Sequence, residues 1–209
     1  MNLRPKGFGS LYGTAPGLKN VSFAVFPDNQ EPWSDLPLGR RGVIGVPLIV
    51  GLQTLRWEKA GSIELGQPSR SFDIQSANLT FDNDHIVVSA TINGQKIRGT
   101  VDTGAVQTYL YKPFAERFAT LLEQHGKKSS IDVHGVGHAG KFDSIILPRV
   151  EIHVGGLETV LSPANVLLRS IEVEGCVGNF GLDLFRQASA LKLDFGAMTM
   201  ELTSASEVH

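Results

Sequence analysis

A chain of 209 residues, 42% of them hydrophobic, is long enough for one large domain or two small lobes around a real core. A formal charge of −2 gives no basic surplus for nucleic acid or an anionic membrane surface, and the single cysteine, Cys176, excludes an internal disulfide and a cysteine-ligated metal cluster. No apolar run reaches membrane-spanning length and no charged-then-apolar leader opens the sequence. The compartment is left open: a periplasmic or secreted location requires a true N-terminus further upstream.

In chain order, Met1 to Gly17 is rich in Gly and Pro and shows no periodicity. Leu18 to Phe26 alternates apolar and polar residues and reads as a strand, which Pro27-Asp28-Asn29 breaks. A polar loop runs to Arg41. Val46 to Leu52 then suits a short helix with Pro47 in its first turn, and Leu55–Glu58 with Ser62–Leu65 suits a hairpin around Lys59-Ala60-Gly61. Gln67 to Ser71 is a small polar linker and the expected boundary. It separates residues 1–66, a partial first lobe, from residues 72–209, a complete one.

Beyond the linker, Ser76–Phe81, His85–Ile92 and Ile97–Asp102 are expected strands, with turns at Asn83-Asp84 and Asn93-Gly94. Lys112 to Gly126 reads as one helix. Phe114, Phe118, Leu121 and Leu122 share a face, Pro113 suits its first turn and Gly126 its end. Ile131 to Phe142 is a Gly-rich hairpin. Ile145 to Val154 reads as an edge strand interrupted by Pro148, turned by Gly155-Gly156 into Thr159–Leu161. Ala190–Phe195 and Met198–Leu202 form a closing hairpin, followed by a polar tail.

The chain also resembles itself. Gly45-Val46-Pro47-Leu48-Ile49 lies over Gly181-Leu182-Asp183-Leu184-Phe185, and Leu55-Arg56-Trp57-Glu58 lies over Leu191-Lys192-Leu193-Asp194, both 136 residues apart (45 to 181, 55 to 191). Upstream, Gly17–Val21 matches Gly156–Val160 at 139 (17 to 156). The front copy holds only the later half of the unit.

The chemistry-bearing stretch is Gly99-Thr100-Val101-Asp102-Thr103-Gly104-Ala105. An acid at a strand end can face a cleft, a threonine hydroxyl can brace a loop, and glycine lets backbone approach a carboxylate. An Asx-type turn closing a hairpin accounts for the same four residues without any chemistry.

Asp102-Thr103-Gly104-Ala105, followed by Gly135-Val136-Gly137 and by Gly178-Asn179-Phe180-Gly181-Leu182-Asp183-Leu184, resembles the bacterial retropepsin-like aspartic peptidases over residues 81–202. The resemblance implies a mostly β, acid-protease fold of one complete lobe plus the later half of a preceding one. It implies peptide hydrolysis by water activated between two aspartates, of which Asp102 is one. Two close carboxylates cannot both ionise cheaply, so they divide the base and acid roles.

Thr103, Gly104 and Ala105 match the catalytic loop. Cys176-Val177-Gly178 matches the element beneath it, and Gly135-Val136-Gly137 matches a flap. Ala105 replaces a serine common in two-lobed members, so one hydrogen bond to the acid is expected to be missing. No second Asp-Thr-Gly or Asp-Ser-Gly occurs in the sequence. The second aspartate is therefore expected from an upstream segment or a dimer partner. The upstream route is favoured because residues 1–66 should occupy the docking face, and the chain alone should hydrolyse peptides negligibly. A catalytically inactive binding or assembly module of the same fold, and a β-rich binding domain, remain as alternatives. No cofactor or metal is expected: His134 and His138 flank a Gly-Val-Gly turn with no acidic ligand at a matching spacing. The expected partner is a peptide or protein substrate.

Overall fold

A computed structural model describes residues 7–11, 21–25, 45–82, 84–135, 138–171 and 173–204. Among them the chain is mostly β, with four short helices, as the acid-protease resemblance implies. Strands β1 (Gly7–Leu11) and β2 (Val21–Val25) form an antiparallel pair. The first of these lies in a stretch that shows no strand pattern in the sequence.

Most of the molecule is a ten-stranded sheet that curls into a half-barrel. It begins with β5 (Leu79–Asp82), β6 (His85–Ile92) and β7 (Gln95–Val101). The β6–β7 hairpin closes on Asn93 at φ 49° and Gly94 at φ 73°. An Asn-Gly pair in left-handed conformation matches the twist of the flanking strands, which explains why this turn is readable from sequence. After β8 (Tyr109–Leu110) come α2 (Lys112–Arg117) and α3 (Ala119–His125), then β9 (Lys127–Gly135), β10 (His138–Leu147), β11 (Val150–Val154), β12 (Leu157–Leu161), β13 (Ala164–Leu167) and β14 (Gly178–Phe180).

Two expectations change here. The single helix over 112–126 is two helices, broken at Phe118 with φ −114° and ψ 35°. The break lets α2 lie over β13 and α3 over β10. It also sets the buried Phe118 ring 4.7 Å from that of Phe114, tilted by 31°. The strand expected over 145–154 is two strands, neither at an edge: β10 lies between β9 and β13, and β11 lies between β12 and β6. Pro148 sits in their connection, where its missing N–H costs no ladder bond.

A four-stranded sheet ordered β16-β15-β3-β4 completes the fold. It contains β3 (Thr54–Glu58), β4 (Ile63–Leu65), β15 (Ala190–Asp194) and β16 (Thr199–Thr203). Its internal symmetry is that of the sequence repeat. Helix α1 (Val46–Gly51), β3 and β4 begin 136 residues before α4 (Leu182–Phe185), β15 and β16 (46 to 182, 54 to 190, 63 to 199). In the β3–β15 ladder Leu55 faces Leu193, Arg56 faces Lys192 and Trp57 faces Leu191. Arg56 thus pairs with its own repeat-mate, while Leu55 and Trp57 each pair with the mate of the other, which places a local two-fold axis at the Arg56–Lys192 pair.

Residues 67–71 run alongside this sheet. The Thr54 hydroxyl donates to the Gln67 carbonyl (2.8 Å), and the Ser69 hydroxyl (2.5 Å) and the Arg70 N–H (3.1 Å) donate to Asp194. Asp194 is fully buried in β15. Burial alone would raise the pKa of its carboxyl. The Ser69 hydroxyl, the N–H groups of Ala197 and Arg70, and the Lys192 ammonium outweigh burial and hold it below the ordinary value.

A carboxyl whose folded pKa is depressed stabilises the fold at neutral pH, and that contribution is lost as pH falls through the folded value. The urea midpoint should therefore decline below about pH 4, where an unfolded aspartate protonates. Asp194→Asn should lower stability at pH 7 by roughly 1–3 kcal/mol and flatten the acid limb. Parallel acid limbs for parent and variant would count against this assignment.

Candidate active site

Strand β14 enters the sheet between β7 and β8, parallel to the first and antiparallel to the second. The loop 102–108 must therefore pass over the end of β14 to connect its two neighbours. Backbone bonds hold the crossing. The Asp102 N–H donates to the Phe180 carbonyl (3.0 Å), the Leu182 N–H to Ala105 (2.9 Å) and the Asp183 N–H to Val106 (3.2 Å). The last two are first-turn donors of α4 that have no partner within the helix.

Two glycines permit the crossing. A Cβ at Gly99 would come 2.5 Å from the Phe180 ring, which is fully buried, and one at Gly181 would come 2.6 Å from the Gln107 carbonyl. The backbone can approach this closely only where no side chain stands.

Asp102 follows β7 directly and is half-buried. Its Oδ1 accepts the N–H groups of Gly104 (2.9 Å) and Ala105 (3.1 Å), and its Oδ2 accepts the Asn179 side-chain amide (3.0 Å). Asn179 is oriented in turn by Thr100, whose hydroxyl donates to the amide oxygen at 2.7 Å. An acceptor on one side and a donor on the other give the amide a single sensible orientation. The carboxylate thus gains a side-chain donor despite Ala105, from a strand 77 residues further along the chain.

A second polar knot anchors the far end of the loop. The Thr108 hydroxyl donates to Asp183 Oδ1 (2.6 Å) and accepts the Gly181 N–H (2.9 Å). The same carboxylate oxygen accepts the N–H groups of Thr108 and Leu184, both at 2.9 Å. Asp183 therefore joins α4 to the loop 75 residues earlier as well as capping locally.

The expected support residues sit one register away from the acid. Gly178 pairs with Gly99, and the Val177 N–H bonds the Arg98 carbonyl, while Asn179 and Phe180 meet Asp102. Cys176 is fully buried beside Val87 and Val173, and burial pushes its thiol pKa up. The glycine pressed against the 102–108 loop is Gly181; a Cβ on Gly178 would instead meet Leu110. Thr103 and Gly104 are exposed at the loop tip, so the hydroxyls bracing this loop from within are those of Thr100 and Thr108.

Asp102 lines a cleft of about 490 Å³ with Thr100, Tyr111, Arg169, Asn179 and, from the turn between β5 and β6 and the first residue of β6, Asp84 and His85. Val46, at the start of α1, lines it from the front repeat, and Val133 lines it from β9. The β9–β10 hairpin pairs up to Gly135 and His138. Of the expected flap, Gly135 ends β9, while Val136 and Gly137 lie outside the described residues. Sequence reasoning gave no role to Thr100, Thr108, Arg169 or Asn179; the two threonines were signalled only by being polar residues beside the motif.

No protein-family model and no curated protein sequence matches the chain. Among solved structures it is similar to the crystal structure of a retropepsin-like aspartic protease from Rickettsia conorii. The likeness has 24% identity and a TM-score of 0.40, and it covers 56% of this chain and 82% of that one.

Thr108→Val keeps the shape but leaves Asp183 and the Gly181 N–H each short of a bond in a site where Thr108 is 2% exposed. It should cost about 2–4 kcal/mol in denaturant unfolding, whereas Thr108→Ser should cost less than about half of that. Equal losses for the two variants would show that the methyl group, not the hydroxyl, carries the effect.

Proposed function

We propose that this chain is an aspartic-type endopeptidase subunit or fragment in which Asp102 is one of two carboxylates that activate water. The observation that carries the reading is the set of three donors converging on Asp102 at the mouth of a cleft. An ionised carboxylate is acceptor-only, and three donors suit its charged form while a free lone pair remains for a water. The water oxygen attacks the peptide carbonyl carbon and its proton passes to the base carboxylate. The second carboxyl, protonated, polarises the carbonyl oxygen. The C–N bond then breaks as the amine takes up a proton.

The roles of the neighbours follow from this reading. Thr103, exposed at the tip, braces the loop that carries the second aspartate. Gly104 and Ala105 supply backbone donors, Asn179 positions the carboxylate, and the β9–β10 hairpin with Gly135, Val136 and Gly137 covers the cleft. Residues 1–66 form the later part of a first lobe, 67–71 link it, and 72–209 form the second.

The second aspartate comes from an upstream segment rather than from a symmetric dimer. The two-fold ladder supports this choice, because β3 already occupies the edge of β15 that the β15 of a second copy would need.

The test is a peptidase assay with sedimentation on this chain, with and without the upstream segment. Activity should require that segment and vanish in Asp102→Asn. Asn179→Leu should lower kcat about tenfold to a hundredfold with KM little changed, since it removes a hydrogen bond to a charged group rather than a substrate contact. An active homodimer of the 209-residue chain would overturn the upstream route. Hydrolysis indifferent to Asp102→Asn would overturn the peptidase reading, and peptide binding without cleavage would mark a binding module.

A further inference from the structure

Arg169 follows β13 and lines the same cleft as Asp102. Its backbone is fixed, since its carbonyl accepts the Lys112 N–H at 3.0 Å. Its guanidinium lies 4.4 Å from the centre of the Phe142 ring and 5.7 Å from that of Tyr111. Aromatic faces hold a guanidinium in place without using its N–H groups. Among the described residues the side chain has no hydrogen bond or ion pair, and its Nε is buried with no partner. Every other arginine side chain for which a partner is described meets an acceptor: Arg56 meets Glu58, Arg149 meets Glu151, Arg70 meets Glu201, Arg98 meets Thr80 and Arg117 meets Gln95. An unpaired cation in a partly dry cleft is costly, and the natural complement of its planar fork is a carboxylate.

The geometry points to Arg169 as a carboxylate-recognition subsite: the cleft selects peptides that present an acidic side chain, or a free C-terminal carboxylate, beside the bond at Asp102. This deepens the peptidase reading and rests on it. Covered at Nε, the fork meets its ligand at the outer Nη edge. Asp84 and Asp102 line the same cleft and repel a carboxylate, so an acidic group is drawn to Arg169 alone among these three charged side chains. Tyr111 and Phe142 act as positioning residues, because they keep the guanidinium from folding onto the protein's own acceptors.

The test is equilibrium binding to the full chain, measured by titration calorimetry with blocked octapeptides carrying one central Glu or Gln. A second, neutral peptide is offered with a free or an amidated C-terminus. The Glu peptide should bind about tenfold or more tightly than its Gln counterpart. That ratio should collapse towards one in Arg169→Met and shrink without vanishing in Arg169→Lys, which keeps the charge but loses the fork.

A preference for the free C-terminus instead assigns the subsite to chain ends. Failure to discriminate either carboxylate from its neutral form, including failure to bind at all, overturns the proposal. So does full discrimination in Arg169→Met. The Asp102→Asn variant separates the two readings. If it keeps the preference while no peptide is cleaved by the parent protein with its upstream segment, the peptidase reading fails and the subsite stands.

Discussion

The structure depends on one crossing, where the loop after β7 passes over the end of β14. Both strands flanking β14 belong to a single continuous piece of chain around residues 99–110, so the loop joining them cannot avoid the strand between them. Everything notable about Asp102 follows. Its N–H is tied to Phe180, its carboxylate meets the next side chain of β14, and the loop carbonyls at 105 and 106 find the open end of α4. Small residues at 99 and 181 are a steric requirement of the crossing rather than a feature of chemistry. Such confinement holds the carboxylate by three donors, so it needs little reorganisation when charge nearby changes.

The second organising feature is the paired hairpins. Strands β3 and β4 repeat β15 and β16 in sequence and sit beside them in space about a shared axis. Helix α1 then stands to β3 as α4 stands to β15, and Val46 at its start lines the cleft beside Asp102. The front repeat is therefore part of the wall around Asp102 and not an appendage. The buried Asp194 and its hydrogen bonds to Ser69 and Arg70 fasten the segment between the repeats to the same sheet.

Much of this was legible in the residues. The acid at the end of β7, the Asn-Gly turn before it and the 136-residue repeat each rest on local pattern, and each has its structural counterpart. What was not legible depends on pairing across long separations. Gly178 and Gly181 both fit an apolar-then-glycine element, and only the strand order shows that Gly181 faces the loop. Asn179 stands inside the 178–184 motif with no role of its own until β14 is placed beside β7. Phe118 lies on the apolar face of an unbroken helical pattern, and the break there reflects two strands to be covered rather than any helix breaker. Arg169 carries no motif at all, and its interest comes from which rings surround it.

The crossing also sets an order of events during synthesis. The strand that completes the Asp102 loop lies 79 residues beyond its partner, counted from Val101 to Phe180, and α4 follows it. As the chain emerges from the ribosome, residues 99–110 must wait, unpaired along one edge, until β14 has been made. Contacts this distant form late and slowly. A nascent chain stalled between residue 110 and β14 therefore carries Asp102 but lacks Asn179 and the floor of the loop. The order of synthesis thus leaves the Asp102 loop without its floor until β14 and α4 are in place.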